Sequence, residues 1–600
     1  MSPAAEFDRN RLIAYGLGAL FVVAALTQAK VQVLDRGETL ERARKRQRFT
    51  LTRTEYARRG AIMSADGKPL AQDEDAYQLG ITFARVPRSE AFFMDLARAS
   101  GIPASEFEQL ALRGATSQVW PKAITPEEAR AIADVKTEWR ADGVSLARAS
   151  KRDYRLGEAA SAVVGAIRDG APPTGLEGAL AVDLAGKNGL TVGLTDRAGA
   201  FLPMRIDQSS SAKHDGLDVL TTIESSLQEV AAAAIREAVE ANKADNGVAI
   251  VMDPSTGDVL AMANWPSFDP SPKANVARGD QPVSDLNPVV KERFEPGSTF
   301  KILTLARALD RGKVTATTTI YCPGQISIGK KVIHCDNHHG NRAHGSVTPE
   351  MAIVKSCNIS AANWALRVGY GDFVDYIKSL GLLRPTGIGL RGEVKGQFRE
   401  DEPAKQLQLA TVGFGQSIAT TPLALCSAFS MLGNGGMRMQ PRLIQKVGSR
   451  VNAVREAGRA VKQETAARLM SYMEAVIESD AGTGHALRIP GFRLAGKTGT
   501  AQRINRNDGG GYVSNFVGFV PAQQPRAVVL VMVNHPKAGQ YYGASVAGPV
   551  FVKIAKGVLA RYQIAPDSDA TKDAQAKRTP VIVRPERRQA GPELEVTVRA

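Results

Sequence analysis

Glu295-Pro296-Gly297-Ser298-Thr299-Phe300-Lys301 joins a chain-breaking Pro-Gly pair to the start of an apolar helical pattern. The Pro-Gly pair halts whatever precedes it. The spacing of Ile302, Leu303, Leu305, Ala306 and Leu309 then predicts a helix that opens at Ser298 and stops near Gly312. Positions three apart share a helical face, so the Lys301 amine is expected beside the Ser298 hydroxyl. A serine hydroxyl becomes a nucleophile only when a base takes its proton, and a lysine is such a base only when burial or nearby positive charge lowers its pKa. The positive end of the helix dipole lowers it, and also favours negative charge developing at the serine. A lone Ser-x-x-Lys is equally the mark of an ordinary N-cap serine, so the rest of the chain has to supply the context.

The chain has 600 residues, 44% of them hydrophobic and 23% charged, which predicts a globular protein of about two to four domains. Its net charge of +15 is spread along the sequence and is not interleaved with aromatics in a nucleic-acid-binding module, so no nucleic acid is expected as partner. Anionic lipid or an acidic wall polymer fits that charge better.

Taken in order, residues 1–11 form a short polar start, expected to be cytoplasmic. Residues 12–29 run without a charge, and the segment 12–34 reads as an uncleaved transmembrane anchor, since Thr27-Gln28-Ala29 is a poor cleavage site. A basic run from Arg42 to Arg59 follows. Residues 35–240 carry no catalytic punctuation and read as a platform, with strand-like Ala76–Thr82, a helix over 125–134 and a longer one from Ser225 to Asn242. At Asn246 the pattern changes to a β-hairpin reaching Ala263. Three further strands are expected at Phe492–Thr500, Tyr512–Val520 and Arg526–Asn534, and a closing helix near Ala547–Tyr562. Five strands around a mainly helical middle predict an α+β domain with one antiparallel sheet over 241–564. The tail 565–600, rich in Pro and charge, is expected to be disordered.

Only Cys322, Cys335, Cys357 and Cys426 occur. Cys322 and Cys335 enclose twelve residues of a predicted hairpin, and in an oxidising compartment a disulfide between them would contribute about 3 kcal/mol. A metal site is the competing reading, because His334, His338, His339 and His344 are close in sequence. The spacing matches no standard zinc pattern, so the disulfide is preferred and no metal is assigned. Cys357 and Cys426 read as buried apolar side chains.

Downstream of Ser298 lie Ser356-Cys357-Asn358, between helical segments, and Lys497-Thr498-Gly499-Thr500, at the end of a strand. Ser-x-x-Lys, Ser-x-Asn and Lys-Thr-Gly in this order are the signature of penicillin-binding proteins and serine β-lactamases. Arg59-Gly60-Ala61-Ile62, Asp66 to Ala71, Gly175-Leu176-Glu177-Gly178, Gly413-Phe414-Gly415-Gln416, Thr421-Pro422 and Tyr541-Tyr542-Gly543 extend the match over roughly 55–560. The chain thus resembles the class B penicillin-binding proteins, departing from them where Ser64-Ala65 replaces an Asp-Arg pair. Asn358 and Gly496 to Gln502 are similar to the division-type enzymes more than to the elongation type.

The resemblance implies a transpeptidase domain of the penicillin-binding and serine β-lactamase fold, with a five-stranded antiparallel sheet flanked by helices. An elongated N-terminal platform and one transmembrane helix would precede it. It implies Ser298 as nucleophile, Lys301 as base, and Ser356 and Lys497 in proton delivery to the departing D-alanine. Asn358, Thr498, Gly499 and Thr500 would bind the substrate, and no metal or organic cofactor is needed. The implied reaction attacks the D-Ala-D-Ala bond of a stem peptide on the outer side of the cytoplasmic membrane, at the septum. Stem peptides, nascent glycan strands, β-lactams, a glycan polymerase and other division proteins are the implied partners. An elongation-type transpeptidase, a D,D-carboxypeptidase and a β-lactam-reactive sensor share the same acylation chemistry, and a non-catalytic division scaffold is the alternative outside enzymes.

Overall fold

The computed structural model describes residues 9–30, 50–167, 172–195, 201–206, 210–270, 277–278, 281–282, 287–335, 343–400, 403–504 and 510–567. Two compact units are formed, one of Met1–Ala57 with Lys187–Asp215 and one of Arg58–Gly186 with Gly216–Ala600. The first contains a helix over Arg9–Ala29 and an antiparallel three-stranded sheet of Thr50–Glu55, Gly189–Thr195 and Phe201–Ile206. The span expected over 12–34 lies partly outside the described residues. Among those described, no helix is long and apolar enough to cross a membrane. Nearly all of the tail expected to be disordered, 568–600, also lies outside them.

The second unit is organised on a five-stranded antiparallel sheet: β1 (Asn246–Met252), β2 (Val259–Trp265), β3 (Ala495–Gln502), β4 (Tyr512–Val520) and β5 (Ala527–Asn534), in the order β2-β1-β5-β4-β3. Side chains of a strand alternate between faces, and both faces here are apolar. Ala249, Val251, Val529 and Val531 pack under the helices α1 (Ser225–Ala241) and α7 (Gly548–Arg561). Val248, Ile250, Met252, Leu530 and Met532 pack on the opposite side. That side is covered by a helical layer comprising α2 (Phe300–Asp310), α3 (Pro349–Val354), α4 (Asn358–Val368), α5 (Pro422–Gly433) and α6 (Gln463–Glu478). Each buried Val, Leu or Ile contributes about 1.5–3 kcal/mol relative to exposure, so the sheet is a firm base for β3 at its edge.

A second sheet joins distant parts of the chain. Its order is Arg450–Val451, Ile444–Val447, Val219–Thr221, Ile62–Met63, Pro69–Thr82 and Ser117–Ile124, and Val144–Tyr154 also pairs with Pro69–Thr82. The backbones approach closely at Gly60, where a Cβ would lie 2.0 Å from the Leu217 carbonyl oxygen. Only glycine fits such an approach. Asp66 accepts hydrogen bonds from the Ser225 N–H at 3.1 Å and the Ser225 hydroxyl at 2.6 Å, so it caps α1. Burial opposes its ionisation, yet those two bonds hold the carboxyl down at about 2.

Two of the motifs picked out in the sequence meet in the interior. The Glu177 carboxylate, with no exposed surface, accepts from Arg59 Nε at 2.6 Å and from Arg152 Nε at 2.7 Å, and Arg152 also reaches Asp73 at 3.2 Å. Removing one member of such a buried network strands the charges that remain. Glu177→Ala is therefore expected to cost about 3–5 kcal/mol, read as a shift of the denaturant midpoint. An unchanged midpoint would show that the arginines find other partners.

Candidate active site

Ser298 is half-buried in a single turn of 3-10 helix, Gly297–Thr299, and α2 proper begins at Phe300. The helix expected to open at Ser298 thus opens two residues later. The Phe300 N–H donates to the Gly297 carbonyl three residues back, so the first turn is wound as 3-10 helix, and Gly297 at its head is left-handed with a φ of 57°. A Cβ at Gly297 would stand 2.8 Å from the Thr500 carbonyl oxygen, so the glycine lets the serine turn lie against β3. The Gly297 N–H donates to the Gly415 carbonyl at 2.9 Å, the Asn515 amide donates to the Pro296 carbonyl at 3.2 Å, and Glu295 accepts from the Ser417 N–H at 2.8 Å. Gly297→Ala is expected to slow acylation by a β-lactam by roughly 10- to 100-fold through misplacement of the serine. Stopped-flow acylation kinetics read this directly, and a wild-type rate would exclude the close approach.

Ser356 lies between α3 and α4 with a φ of 57°, a conformation that serine rarely adopts. The turn is closed by the Ser356 N–H donating to Ile353 at 3.1 Å and the Cys357 N–H donating to Ala352 at 2.8 Å. It presents the Ser356 hydroxyl to two lysines that are fully buried. Lys301 Nζ donates to Ser356 Oγ at 3.1 Å and to the Ser356 carbonyl, and Lys497 Nζ donates to the same Oγ at 3.0 Å. A hydroxyl oxygen has two acceptor sites. With both filled by amines, the Ser356 hydrogen is left to donate elsewhere. Burial, reinforced by the positive charge of Lys301, pushes Lys497 well below the ordinary lysine range.

Lys497 also donates to the Thr498 carbonyl at 3.2 Å and to Thr498 Oγ1 at 3.4 Å. Thr498 and Thr500 are both half-buried and, two apart on β3, share one face of the strand. The Thr500 hydroxyl accepts from the Gly543 N–H at 3.1 Å. At Gly499 a Cβ would stand 2.3 Å from the Asn515 side-chain oxygen, so the glycine admits the asparagine that holds the Pro296 carbonyl. Tyr541 stacks on Tyr512 with centroids 4.2 Å apart and is itself 4.6 Å from Tyr542.

Ser356 is thereby joined directly to Lys301 and Lys497, and Gly297 brings the serine turn against Thr500. Asn358 opens α4 and donates to the His334 carbonyl at 3.0 Å. Thr483, which no sequence motif marks, is brought to the site by the fold, and its hydroxyl accepts from Thr498 Oγ1 at 3.2 Å. The same holds of Asn515, whose role depends on the fold alone, since nothing in its neighbourhood in the sequence marks it.

The expected Cys322–Cys335 disulfide is not formed: all four cysteines are free and buried. The hairpin between them is present as Gln325–Ile328 paired with Lys331–His334. Its closing cysteine turns instead towards Cys357 Sγ, 3.4 Å away, and His344 Nδ1, 3.2 Å away, whereas a disulfide needs about 2.05 Å between sulfurs. The hydrogen bond from Cys335 holds the Cys357 thiol well below the ordinary thiol range and pushes the Cys335 thiol up. His338 and His339 lie outside the described residues.

Residues 247–556 match the penicillin-binding protein transpeptidase domain family, and residues 54–195 match the penicillin-binding protein dimerisation domain family. Stage V sporulation protein D of Bacillus subtilis is 30% identical over 524 residues, covering 85% of this chain and 79% of that protein. The peptidoglycan D,D-transpeptidase FtsI of Escherichia coli is 31% identical over 450 residues, covering 74% and 72%. Among solved structures, penicillin-binding protein 3 from Mycobacterium tuberculosis in complex with aztreonam superposes with a TM-score of 0.64 at 25% identity, covering 86% of this chain and 98% of that one. Penicillin-binding protein 2X from Streptococcus thermophilus gives 0.70 at 22% identity over 87% and 81%, a likeness of fold. With the ordered motifs converging around Ser356, these matches place the chain among the class B penicillin-binding proteins, as a serine-type D-Ala-D-Ala transpeptidase.

Proposed function

We propose that the chain cross-links peptidoglycan at the division septum, with Ser298 as the nucleophile. Ser298 Oγ attacks the carbonyl of the D-Ala-D-Ala bond and Lys301 takes its proton. Ser356 passes a proton to the leaving D-alanine amine, and Lys497 helps to supply it. Asn358 hydrogen-bonds the peptide amide, and Thr498, Gly499 and Thr500 line the strand that holds the terminal carboxylate in the field of Lys497. The N–H groups of Ser298 and Thr500 receive the oxyanion, each worth roughly 3–4 kcal/mol. An amine of a neighbouring stem peptide then takes the acyl group and frees the serine. A β-lactam enters by the same first step and stays.

The observation that carries this reading is the single Ser356 hydroxyl accepting from two buried lysines, one from each flanking motif. Such an arrangement costs stability and has no packing purpose, which favours a chemical one. The test is incubation of the purified chain with labelled penicillin, followed for hours. A persistent adduct is expected. Rapid release would favour a β-lactamase, and no adduct would reject the reading.

The working parts in this proposal are a cytoplasmic start (1–11), an anchor (12–34), a platform (35–240), a catalytic domain (241–564) outside the cytoplasmic membrane, and a tail (565–600). The anchor is supported by the exposed Ile13, Leu17, Leu20, Phe21, Val22, Val23 and Leu26 of the N-terminal helix, an apolar surface with no use in water. A septal role is supported by the likeness to FtsI and implies partners among glycan polymerases and other division proteins. A fluorescent fusion is expected at mid-cell, and a lateral signal would reassign the chain to elongation.

A further inference from the structure

Four side chains from separate elements between positions 322 and 357 converge beside the second catalytic motif: Cys322, Cys335, His344 and Cys357, whose ligand atoms all lie within 4.8 Å of one another. Cys335 Sγ is 3.2 Å and Cys322 Sγ 3.7 Å from His344 Nδ1, and Cys335 Sγ is 3.4 Å from Cys357 Sγ. Zinc bonds of about 2.3 Å to sulfur and about 2.0–2.1 Å to nitrogen set tetrahedral ligand atoms roughly 3.5–3.8 Å apart, and the observed separations bracket that range. The three thiols are fully buried or nearly so, and His344 is half-buried. Three sulfurs and one imidazole nitrogen are a soft donor set suited to zinc and unsuited to calcium or magnesium.

The backbone around the cluster is built rather than accidental. Cys322 ends the strand Ile320–Cys322 and is paired with Gly345, the neighbour of His344. Cys335 follows the hairpin and its N–H donates to Gly324 at 2.7 Å. Cys357 is the N-cap of α4 and accepts from the Ser360 N–H at 3.4 Å and the Ser360 hydroxyl at 3.2 Å. Two β-segments and the start of a catalytic helix therefore each contribute to one point.

We propose that Cys322, Cys335, His344 and Cys357 bind a zinc ion that fastens the strands Ile320–Cys322 and Lys331–His334 to the Ser356-Cys357-Asn358 turn. Four protein ligands fill a tetrahedral zinc and leave no open position, so the ion is structural and takes no part in the acyl transfer. Its effect on the chemistry is positional. Cys357 lies between Ser356 and Asn358, and Asn358 donates to the carbonyl of His334, next to the ligand Cys335. This positional effect rests on the acyl-transfer reading, whereas the binding of zinc does not.

The test begins with the full chain in detergent, dialysed against chelating resin, and measures metal by mass spectrometry. About one zinc per chain is expected in wild type and in Ser298→Ala. Cys322→Ser and His344→Ala should lose at least tenfold in zinc affinity, and His344→Cys, which keeps four soft ligands, should retain the ion. Cobalt exchanged into wild type should give thiolate-to-cobalt charge-transfer absorption that Cys322→Ser weakens. Stripping the zinc should slow penicillin acylation roughly 10- to 100-fold with recovery on adding zinc back. Wild type that takes up neither zinc nor cobalt, or that has a mass showing a Cys322–Cys335 disulfide, would overturn the proposal. Unaltered zinc affinity in both Cys322→Ser and His344→Ala would do so as well. A chain that holds zinc but is never acylated would keep the metal site and reject the catalytic reading alone.

Discussion

Ser298→Ala and Lys301→Met are each expected to lower β-lactam acylation by at least about 10⁴-fold, and the double variant to be no slower than either single one. A nucleophile and its base act as a unit, so removing the second after the first has no further step to slow. Lys301 is fully buried within α2, and its amine meets Ser356, so methionine fills its volume but supplies neither base nor hydrogen bond. Acylation rates of the three variants, normalised to correctly folded protein by circular dichroism, check this. Additive losses would mean that Lys301 stabilises the fold or the substrate and not the serine proton.

Lys497→Met is expected to separate catalysis from stability. Its amine is buried without exposed surface, close to a second cation, and is pushed well below the ordinary lysine value first by burial and then by the charge of Lys301. From that lowered value up to the unfolded value of about 10.5, the unfolded chain binds more protons than the folded one. Stability therefore rises with pH across this window in wild type, and the part of the slope due to Lys497 disappears in Lys497→Met. Replacing a buried amine, whose proton the folded state disfavours, by an apolar side chain of similar size should stabilise the fold by about 1 kcal/mol. Acylation should fall roughly 10²- to 10⁴-fold, because Ser356 loses one of its two donors. Paired denaturation and acylation measurements from neutral pH to about 10 decide the matter. A less stable Lys497→Met with normal acylation would reverse both conclusions.

Much of the catalytic sheet was legible because each strand carries its own local signal. The alternating run at Asn246 and the Asp253-Pro254-Ser255-Thr256-Gly257 turn are a hairpin by pattern, and the strands form at Asn246–Met252 and Val259–Trp265. Tyr512–Val520 forms over the expected residues. The helix after Ser298 was legible in its apolar spacing but not in its first turn, since the left-handed Gly297 depends on the contact with Thr500.

Contacts between remote segments were not legible. Glu177 meets Arg59 across 118 positions, and no periodicity links them. The cysteine cluster was legible in part: the nearby histidines raised a metal site as the competing reading, but its ligands come one at a time, without the closely spaced pairs that mark a zinc motif in sequence, and Cys357 read as a packed side chain. Two cysteines flanking a hairpin looked like a bridge, until the fold brought His344 and Cys357 alongside them. The φ of 57° at Ser356 was equally invisible, because it is imposed by the junction of α3 and α4 and not by the residue type.

The most direct measurement is peptide mapping by mass spectrometry after the full chain has reacted with a β-lactam. One adduct is expected, on Ser298, absent from Ser298→Ala. An adduct on any other residue, or an undiminished adduct in Ser298→Ala, would contradict Ser298 as the nucleophile.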